Sequence, residues 1–431
     1  MFYRRSWAGA PAEGAGAARR SRDIILPIRR FLVLALGALC VGLTAAACGG
    51  DSGGKSVQPV LPQVVDVGGT FLASPKVQPI LYASDAGGTD ILAFLQELAT
   101  TSYWAQTTSE YGVGPLTILP PVTLTDAAPT SVTDAMLESS LSDNTSGANP
   151  AWGAADPSTI YLFVLPEGTI ESDTEGACCT DYDGYHFQAD VGQGANVVTV
   201  PYALSCACPG FDGPNVTDLQ ERTVDMSHEL VESATDPFPN SDPAYTQEDD
   251  ADIVWTLVTD GEVADMCEFN DDANVIPPGS TYMVQRSWSN AAAARFENPC
   301  VPVLTTTPYL NSFPQLGNIT YAAAHITTQG IRIPIDQSQT IDVALLSAAP
   351  VAQHWGVAAY DYDDAILNLT PDSTLRPPSF NGGNGDSFRL TITPTSADSS
   401  LNGEAFIIWS DYGNPGDPDF ESQVTMGLVT N

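Results

Sequence analysis

Positive charge is scarce in this chain. Its 431 residues include 15 lysines and arginines against 52 aspartates and glutamates. Seven of the basic residues but only two of the acidic ones precede Cys48, which leaves eight basic and 50 acidic residues after it, a formal charge of −42. Such a chain repels nucleic acid and anionic membrane surfaces, so neither is expected as a partner. The same charge favours the binding of cations.

Long apolar runs are also rare. The sequence has one, from Phe31 to Leu43. Arg29 and Arg30 precede this run, and small residues follow it up to Cys48, an order typical of a secretory signal. It resembles a bacterial lipoprotein signal, in which cleavage precedes the cysteine and the cysteine is lipidated. We therefore predict a signal over 1–48, a flexible tether over 49–65 and lipidation of Cys48. The protein would sit at a bacterial cell surface or outer membrane, and ordinary signal cleavage would instead leave it secreted.

Cysteine is sparse, and six cysteines, an even number, follow the predicted signal. An even number of cysteines in an exported protein indicates disulfides. We expect the first two to pair with the next two, in an order that the sequence leaves open, and the last two to pair with each other. A metal site built from the first four thiolates is the alternative. The six residues are Cys178, Cys179, Cys206, Cys208, Cys267 and Cys300.

Helical periodicity is confined to the part of the chain before Cys300. There, apolar patterns predict strands at 77–82, 116–119, 159–164 and 196–200, and helices at 90–103, at 131–141 and from Asp218, which can cap the helix. This order favours an α/β (α+β) domain of the zincin-like metallopeptidase type over 66–303. Residues 304–431 show short alternating runs between turn residues, which predict an all-β sandwich domain. Its aromatic residues would fill the core or, alternatively, bind a glycan.

The stretch from Ser227 to Asp236 carries the pattern HExxE. On a helix, positions i and i+4 share a face, so His228 and Glu232 can reach one cation, with Glu229 beside them as general base. The pattern is one substitution away from the HExxH of zinc peptidases. A solvated acidic helix face is the alternative interpretation.

A catalytic zinc usually has three protein ligands. Glu262 is the first choice for the third, with Asp265 as an alternative ligand or as a hydrogen-bond acceptor that orients His228. Zn²⁺ is the expected cofactor, although a site with oxygen ligands in place of nitrogen ligands also favours Mn²⁺ and Ca²⁺. The acidic run over 240–252 could hold an additional Ca²⁺ or be a solvated loop.

The other histidines have weaker claims to a function. Tyr185 or His186 could approach the metal site and stabilise an oxyanion or contact the substrate, although a structural role is also open for His186. His325 and His354 fall in the sandwich domain, where we expect them to be structural or exposed.

Three ordered blocks of the sequence carry a family resemblance. They look like the HELxExxTxP, EIxDxC and VQxxWSN blocks of the phosphate-induced protein 1 (EXORDIUM-like) family and its bacterial secreted relatives. Gly184-Tyr185-His186 and Pro79-Ile80-Leu81-Tyr82 extend the similarity over most of 70–302. The resemblance implies an exported zincin-like protein, while the family itself is associated in plants with extracellular growth signalling and has no assigned reaction. The blocks are 227–237, 262–267 and 284–290.

Two functions follow as expectations. The first is a lipid-anchored, metal-dependent hydrolase, a zinc metallopeptidase that acts on extracellular protein or peptide. The second is a non-catalytic extracellular or cell-surface binding protein, which keeps a structural or vestigial metal site and binds glycans or partners through the sandwich.

Overall fold

The computed structural model describes residues 59–173, 176–192, 194–211, 213–362, 367–371, 379–395 and 403–430. The predicted signal, the lipidation at Cys48 and most of the predicted tether lie outside the described residues. Within the described part, no helix is both long enough and apolar enough to cross a membrane.

Both helices and strands occur up to Cys300. The helices are α1 (Gly88–Leu98), α2 (Ser102–Thr108), α3 (Asp134–Asn144), α4 (Asp218–Thr235), α5 (Ile253–Thr259), α6 (Asp265–Glu268) and α7 (Asn290–Ala294). The strands are β1 (Val64–Asp66), β2 (Lys76–Tyr82), β3 (Thr117–Ile118), β4 (Val122–Leu124), β5 (Ser131–Val132), β6 (Thr159–Leu165), β7 (Ile170–Glu171), β8 (Gly184–Val191), β9 (Val198–Cys206), β10 (Tyr245–Glu248), β11 (Asn274–Val275), β12 (Val284–Gln285), β13 (Ser287–Trp288) and β14 (Cys300–Val301).

The main sheet of this region has the order β3-β2-β6-β9-β8, with β4 also paired to β2. Its pairs are parallel except at the edge, where β8 runs antiparallel to β9. Every residue of β6 is buried, as expected for a parallel strand covered on both faces. Alternate β6 residues enter two separate apolar cores, one shared with α4 and the other with α3. The two helices therefore cover opposite faces of the sheet.

Helix α4 is the central element of one of these faces. Thr217 begins it with a capping box, since its hydroxyl accepts from the Gln220 N–H at 3.3 Å and the Gln220 side chain accepts from the Thr217 N–H at 3.0 Å. The expected cap, Asp218, is instead the first helical residue. From Glu221 to Thr235 every residue is buried, so the polar residues of α4 face protein rather than solvent.

Two predicted helices have different bounds. The expected helix over 90–103 is interrupted after Leu98, because the Thr100 hydroxyl donates to the Glu97 carbonyl at 3.0 Å and Thr101 is extended before α2 begins. The helix expected over 131–141 begins only at Asp134, because Ser131 and Val132 pair with β7. In both places a local polar bond or a distant strand outweighs helical periodicity.

All regular elements described after Cys300 are strands. They form one sheet in the order β15-β18-β22-β20 and another in the order β16-β17-β24-β23-β19-β21, with an apolar core drawn from both sheets. These strands are β15 (Leu310–Pro314), β16 (Gly317–Tyr321), β17 (Ile326–Arg332), β18 (Gln339–Ser347), β19 (Trp355–Asp361), β20 (Leu367–Pro371), β21 (Ser379–Gly382), β22 (Ser387–Pro394), β23 (Glu404–Tyr412) and β24 (Glu421–Thr430).

The second of these sheets also packs against the region before Cys300. In β23, Phe406 and Ile408 enter the core between the two sheets, whereas Ile407 and Trp409 join the core that contains α4. The Trp409 indole donates to the Phe269 carbonyl at 2.9 Å. The aromatic residues of the C-terminal region whose side chains are described are buried or half-buried.

Candidate metal centre

Helix α4 presents His228, Glu229 and Glu232 in a buried position against the sheet. The Nε2 atom of His228 lies 3.0 Å from Glu232 Oε2 and 4.0 Å from Glu229 Oε1. All three residues are at most 3% exposed. The i, i+4 spacing therefore brings the histidine and the carboxylate together as expected, but inside the protein rather than on a solvated helix face.

The turn after α5 brings two further carboxylates to α4. Asp260 and Gly261 adopt left-handed backbone conformations in succession, with φ of 65° and 81°, and direct the chain into Glu262. The backbone N–H groups of Ala264 and Asp265 then donate to Glu232 Oε1, each at 3.1 Å. These bonds fasten the start of α6 to α4 and leave the second oxygen of Glu232 facing His228.

Asp265, rather than Glu262, lies beside His228. Asp265 Oδ1 is 3.4 Å from His228 Nε2, and its other oxygen accepts from the Glu262 N–H at 3.2 Å. Of the two carboxylates predicted as the third ligand, Asp265 therefore lies within reach of His228, whereas Glu262 lies beside His186. The reason is the turn of α6, which directs the two side chains to different parts of the cluster.

The edge strand β8 supplies the second histidine. His186 Nδ1 lies 3.6 Å from Glu229 and 3.7 Å from Glu232, and its Nε2 lies 3.6 Å from Glu262 Oε1. Tyr185 lies on the opposite face of the sheet, where its hydroxyl donates to Asp134 at 2.8 Å. Because successive strand residues face opposite sides, only His186 of these two residues reaches the cluster.

Two groups of three side chains have donor atoms close enough to share an ion. Their members are His228, Glu232 and Asp265, and His186, Glu232 and Glu262. Ligand atoms about 2.1 Å from a tetrahedral zinc lie about 3.4 Å apart. In the first group the 3.4 Å between His228 and Asp265 matches that edge and the 3.0 Å between His228 and Glu232 is shorter, so these donor atoms are close enough to share one cation of this size.

The three sequence blocks meet around this first group. The Gln285 N–H donates to the Ser227 hydroxyl at 2.9 Å, and the Gln285 amide group donates to the Ala264 carbonyl at 2.9 Å. The Trp288 N–H donates to the Val263 carbonyl at 2.8 Å. Residues from the third block therefore tie the second block to the first.

Burial and repulsion shift the pKa values of the first group. Burial lowers the pKa of His228, but Glu232, Glu229 and Asp265 outweigh it and hold this pKa well above its usual value. Burial raises the pKa of Glu232, but His228 outweighs it and brings the pKa below its usual value. Burial also raises the pKa of Asp265 to about 6. These directions describe a buried cluster that strongly favours added positive charge.

The other residues of the cluster, Glu229, Glu262 and His186, lack partners that neutralise them to the same extent. Burial raises the pKa of Glu229 well above its usual value, with His228 acting against the shift. Burial, with Glu232 and Asp236 next, does the same to Glu262. Burial lowers the pKa of His186.

Sequence reasoning overlooked Asp236 at this site. It is fully buried, it lies near Glu262 and His186, and its Oδ1 accepts from the Ala244 N–H at 2.8 Å. The sequence did indicate this residue, because Asp236 follows Glu232 by four positions, just as Glu232 follows His228. The sequence analysis considered His186 as an oxyanion or substrate contact or as a structural residue, and not as a ligand, although it belongs to one of the groups whose donor atoms can share an ion.

The other predicted sites lie elsewhere. His325 and His354 are exposed. The acidic run over 240–252 contributes to neither ion-sized group of the described residues, and its Asp249 side chain instead accepts from the Ala251 N–H at 2.8 Å.

The cysteines form disulfides, as expected. Within the described residues the pairs are Cys178–Cys206, Cys179–Cys208 and Cys267–Cys300. The first two tie the chain before β8 to the end of β9, and the third ties α6 to β14. The thiolate metal site is therefore excluded in this structure. Disulfides of this kind are consistent with an extracellular or surface location.

Comparison with known proteins adds little. No protein-family model and no curated protein matches the chain. Similar solved structures include a conjugative transposon lipoprotein from Bacteroides eggerthii DSM 20697, at 13% identity and a TM-score of 0.20 over 28% of this chain and 97% of that one. Domains 4 and 5 of the S-layer protein SbsC match at 11% identity and a TM-score of 0.17, over 28% of this chain and 46% of that one.

A longer form of the same S-layer protein, rSbsC(31-844), matches at 9% identity and a TM-score of 0.16, over 60% of this chain and 36% of that one. The chain thus spans less than half the length of either S-layer structure. TM-scores this low carry no argument about fold or function, and the three sequence blocks stay a resemblance.

Proposed function

We propose that this protein is an exported zinc-dependent hydrolase with a zincin-like arrangement, which cleaves extracellular protein or peptide. The observation that carries the proposal is the position of His228 Nε2, 3.0 Å from Glu232 and 3.4 Å from Asp265, with Glu229 beside them on the same buried helix. His228, Glu232 and Asp265 would hold the ion. Zinc, when bound, supplies a Lewis acid that polarises a carbonyl and makes water more acidic.

The protein's own residues would then have distinct roles. Glu229 would accept a proton as general base, a role that suits a carboxyl group whose pKa burial raises above its usual value. Glu232 would keep its orientation because two backbone N–H groups hold its other oxygen. His186 Nδ1, 3.6 Å from Glu229, would contact a substrate oxygen.

The edge strand favours a peptide as substrate. β8 ends the main sheet and carries His186 on the face that holds the cluster. An extended peptide can add to such an edge through its backbone hydrogen bonds. A peptide bound there would pass close to Glu229.

One observation favours the second candidate, a non-catalytic binding protein with a structural metal site. The residues His186, His228, Glu229, Glu232, Glu262 and Asp265 are all at most 7% exposed, so a substrate would need an opening to reach them. A metal enclosed in this way would strengthen the fold without chemistry.

Digestion of an unbiased peptide library by the zinc-loaded protein separates the two candidates. We expect cleavage by the wild type and a loss of about 10²–10⁴-fold in rate for Glu229→Gln with the zinc content unchanged. Glu171→Gln is the matched control, because Glu171 is a buried carboxylate that accepts from Tyr182 on the other face of the sheet. It should keep wild-type activity. No cleavage by any zinc-loaded protein, or equal cleavage by Glu229→Gln, would contradict the peptidase.

A further inference from the structure

The group formed by His186, Glu232 and Glu262 is not used by the proposed zinc site. His186 and Glu262 are 2% and 1% exposed, and their facing atoms, Nε2 and Oε1, are 3.6 Å apart. His186 Nε2 has no hydrogen-bond partner, and the oxygens of Glu262 have none other than the neighbouring carboxyl group of Asp236. Buried polar atoms normally find such partners, so a ligand that binds both residues would explain their position.

The charge of the whole cluster points to the same kind of ligand. Glu229, Glu232, Asp236, Glu262 and Asp265 are five buried carboxylates around two histidines. The buried arginines of the described residues are paired elsewhere, Arg222 with Asp85 and Arg286 with Asp272 and Glu421. Buried carboxylates need a compensating charge or a bound proton, and a divalent cation supplies the charge to several of them at once. One divalent cation at His228 leaves Glu262 and Asp236, on the far side of His186, without one.

We propose that this group binds a second divalent cation and that Glu232 is shared between the two metal sites. The inference rests on the proposed zinc site at His228 and extends it to a two-metal centre. The second site has one imidazole nitrogen and two carboxylates, with Asp236 beside them, and is richer in oxygen donors than a typical zinc site. Such a donor set suits Mn²⁺ or Ca²⁺ as well as zinc.

Metal content measured by elemental mass spectrometry tests the proposal without any assay of activity. Protein stripped with a chelator, reloaded with Zn²⁺ and Mn²⁺ and freed of excess metal should hold about two equivalents of divalent metal per chain. Asp265→Asn and Glu262→Gln should each hold about one, and Glu232→Gln should hold less than either. Glu171→Gln, the control for removing a buried carboxylate, should still hold about two.

A wild-type protein that saturates at one equivalent would overturn the second site, and it would leave the proposed zinc site intact. So would a Glu262→Gln variant that keeps both equivalents. If that variant fails to fold, Mn²⁺ paramagnetic resonance of the wild type decides instead, because two ions that share Glu232 give a magnetically coupled signal. An isolated Mn²⁺ signal at saturation would count against the proposal. A two-metal protein without hydrolysis would contradict the proposed function alone.

Discussion

Glu232 connects the parts of the candidate metal centre. One of its oxygens accepts two backbone N–H groups from the start of α6, and the other faces His228. The N-terminus of a helix is a favourable place for a carboxylate, because the free backbone N–H groups there stabilise negative charge. Glu232 is therefore oriented before any ion binds, which lowers the entropy lost on binding.

His228→Ala should abolish zinc binding at the first site. Zinc at about 100 times its dissociation constant should raise the free energy of unfolding of the wild type by about 2.7 kcal/mol, and this gain should vanish in the variant. Chemical denaturation with and without zinc measures it. His325→Ala removes an exposed histidine and serves as the control. Full zinc occupancy in His228→Ala would refute the assignment of the site.

At the scale of elements, α6 is short and depends on its connections. The Cys267–Cys300 disulfide joins it to β14, and the bonds to Glu232 join it to α4. A helix of this length has little stability of its own, so these contacts determine where Asp265 lies.

The double substitution Cys267→Ser with Cys300→Ser should lower the stability by about 2–5 kcal/mol and should also weaken zinc binding. The second effect is expected because α6 carries Asp265. Calorimetric titration of folded protein with zinc measures it. Removing Cys179–Cys208 instead should lower stability and leave the affinity at His228 close to that of the wild type. Unchanged affinity in the first variant would show that α6 is held without the disulfide.

Strand β10 carries a pH-sensitive carboxyl group. Burial raises the pKa of Glu248 to about 8, although the Thr256 hydroxyl, which donates to it at 2.6 Å, acts against the shift. The folded state therefore favours the protonated form. The stabilising contribution is complete below the unfolded pKa near 4.5 and is lost as the pH rises through about 8.

Stability should accordingly fall between about pH 5 and pH 8, by up to a few kcal/mol from this group at about 1.4 kcal/mol per pKa unit. Glu248→Gln keeps a similar shape without the charge, so its denaturation midpoint should vary less over this range. Urea titrations of both proteins at several pH values provide the comparison. Parallel pH profiles would mean that Glu248 is not the cause.

At the scale of the whole molecule, the C-terminal sheets are more than an appended domain. Alternate residues of β23 and β24 enter the core that contains α4. Arg286 lies 2.9 Å from Asp272 and 3.5 Å from Glu421, so a buried ion pair also crosses between the regions. The region that contains the candidate metal centre should therefore depend on the C-terminal region for its stability.

The anchoring prediction also concerns the whole protein. Native protein should partition with detergent-extracted membranes, because each buried acyl CH₂ contributes about 0.8 kcal/mol, enough with several chains to hold an acidic protein at the membrane. Cys48→Ser should accumulate as precursor or be released. Cys40→Ser, within the apolar run of the signal, is the control and should stay anchored. Recovery of the wild type as a soluble species cleaved at another site would refute lipidation of Cys48.

The sequence by itself determined the local features of this protein. Short apolar runs located β2 and β6, and the spacing of the HExxE pattern after Asp218 located α4. The spacing of His228 and Glu232 placed both on one helical face. The order of the six cysteines predicted which segments the disulfides join. Each of these features depends on residues close together in the chain or on simple pairing rules.

Only the tertiary structure decided which distant residues meet. Whether His186 or Tyr185 faces α4 depends on which side of the sheet the helix covers, and no local pattern in β8 specifies that side. The choice of Asp265 over Glu262 depends on the bonds between α6 and Glu232. The shared core of the two regions likewise arises from contacts more than a hundred residues apart, such as that of Trp409 with Phe269. Such contacts are chosen by the packing of the whole chain, which is why the sequence pattern did not reveal them.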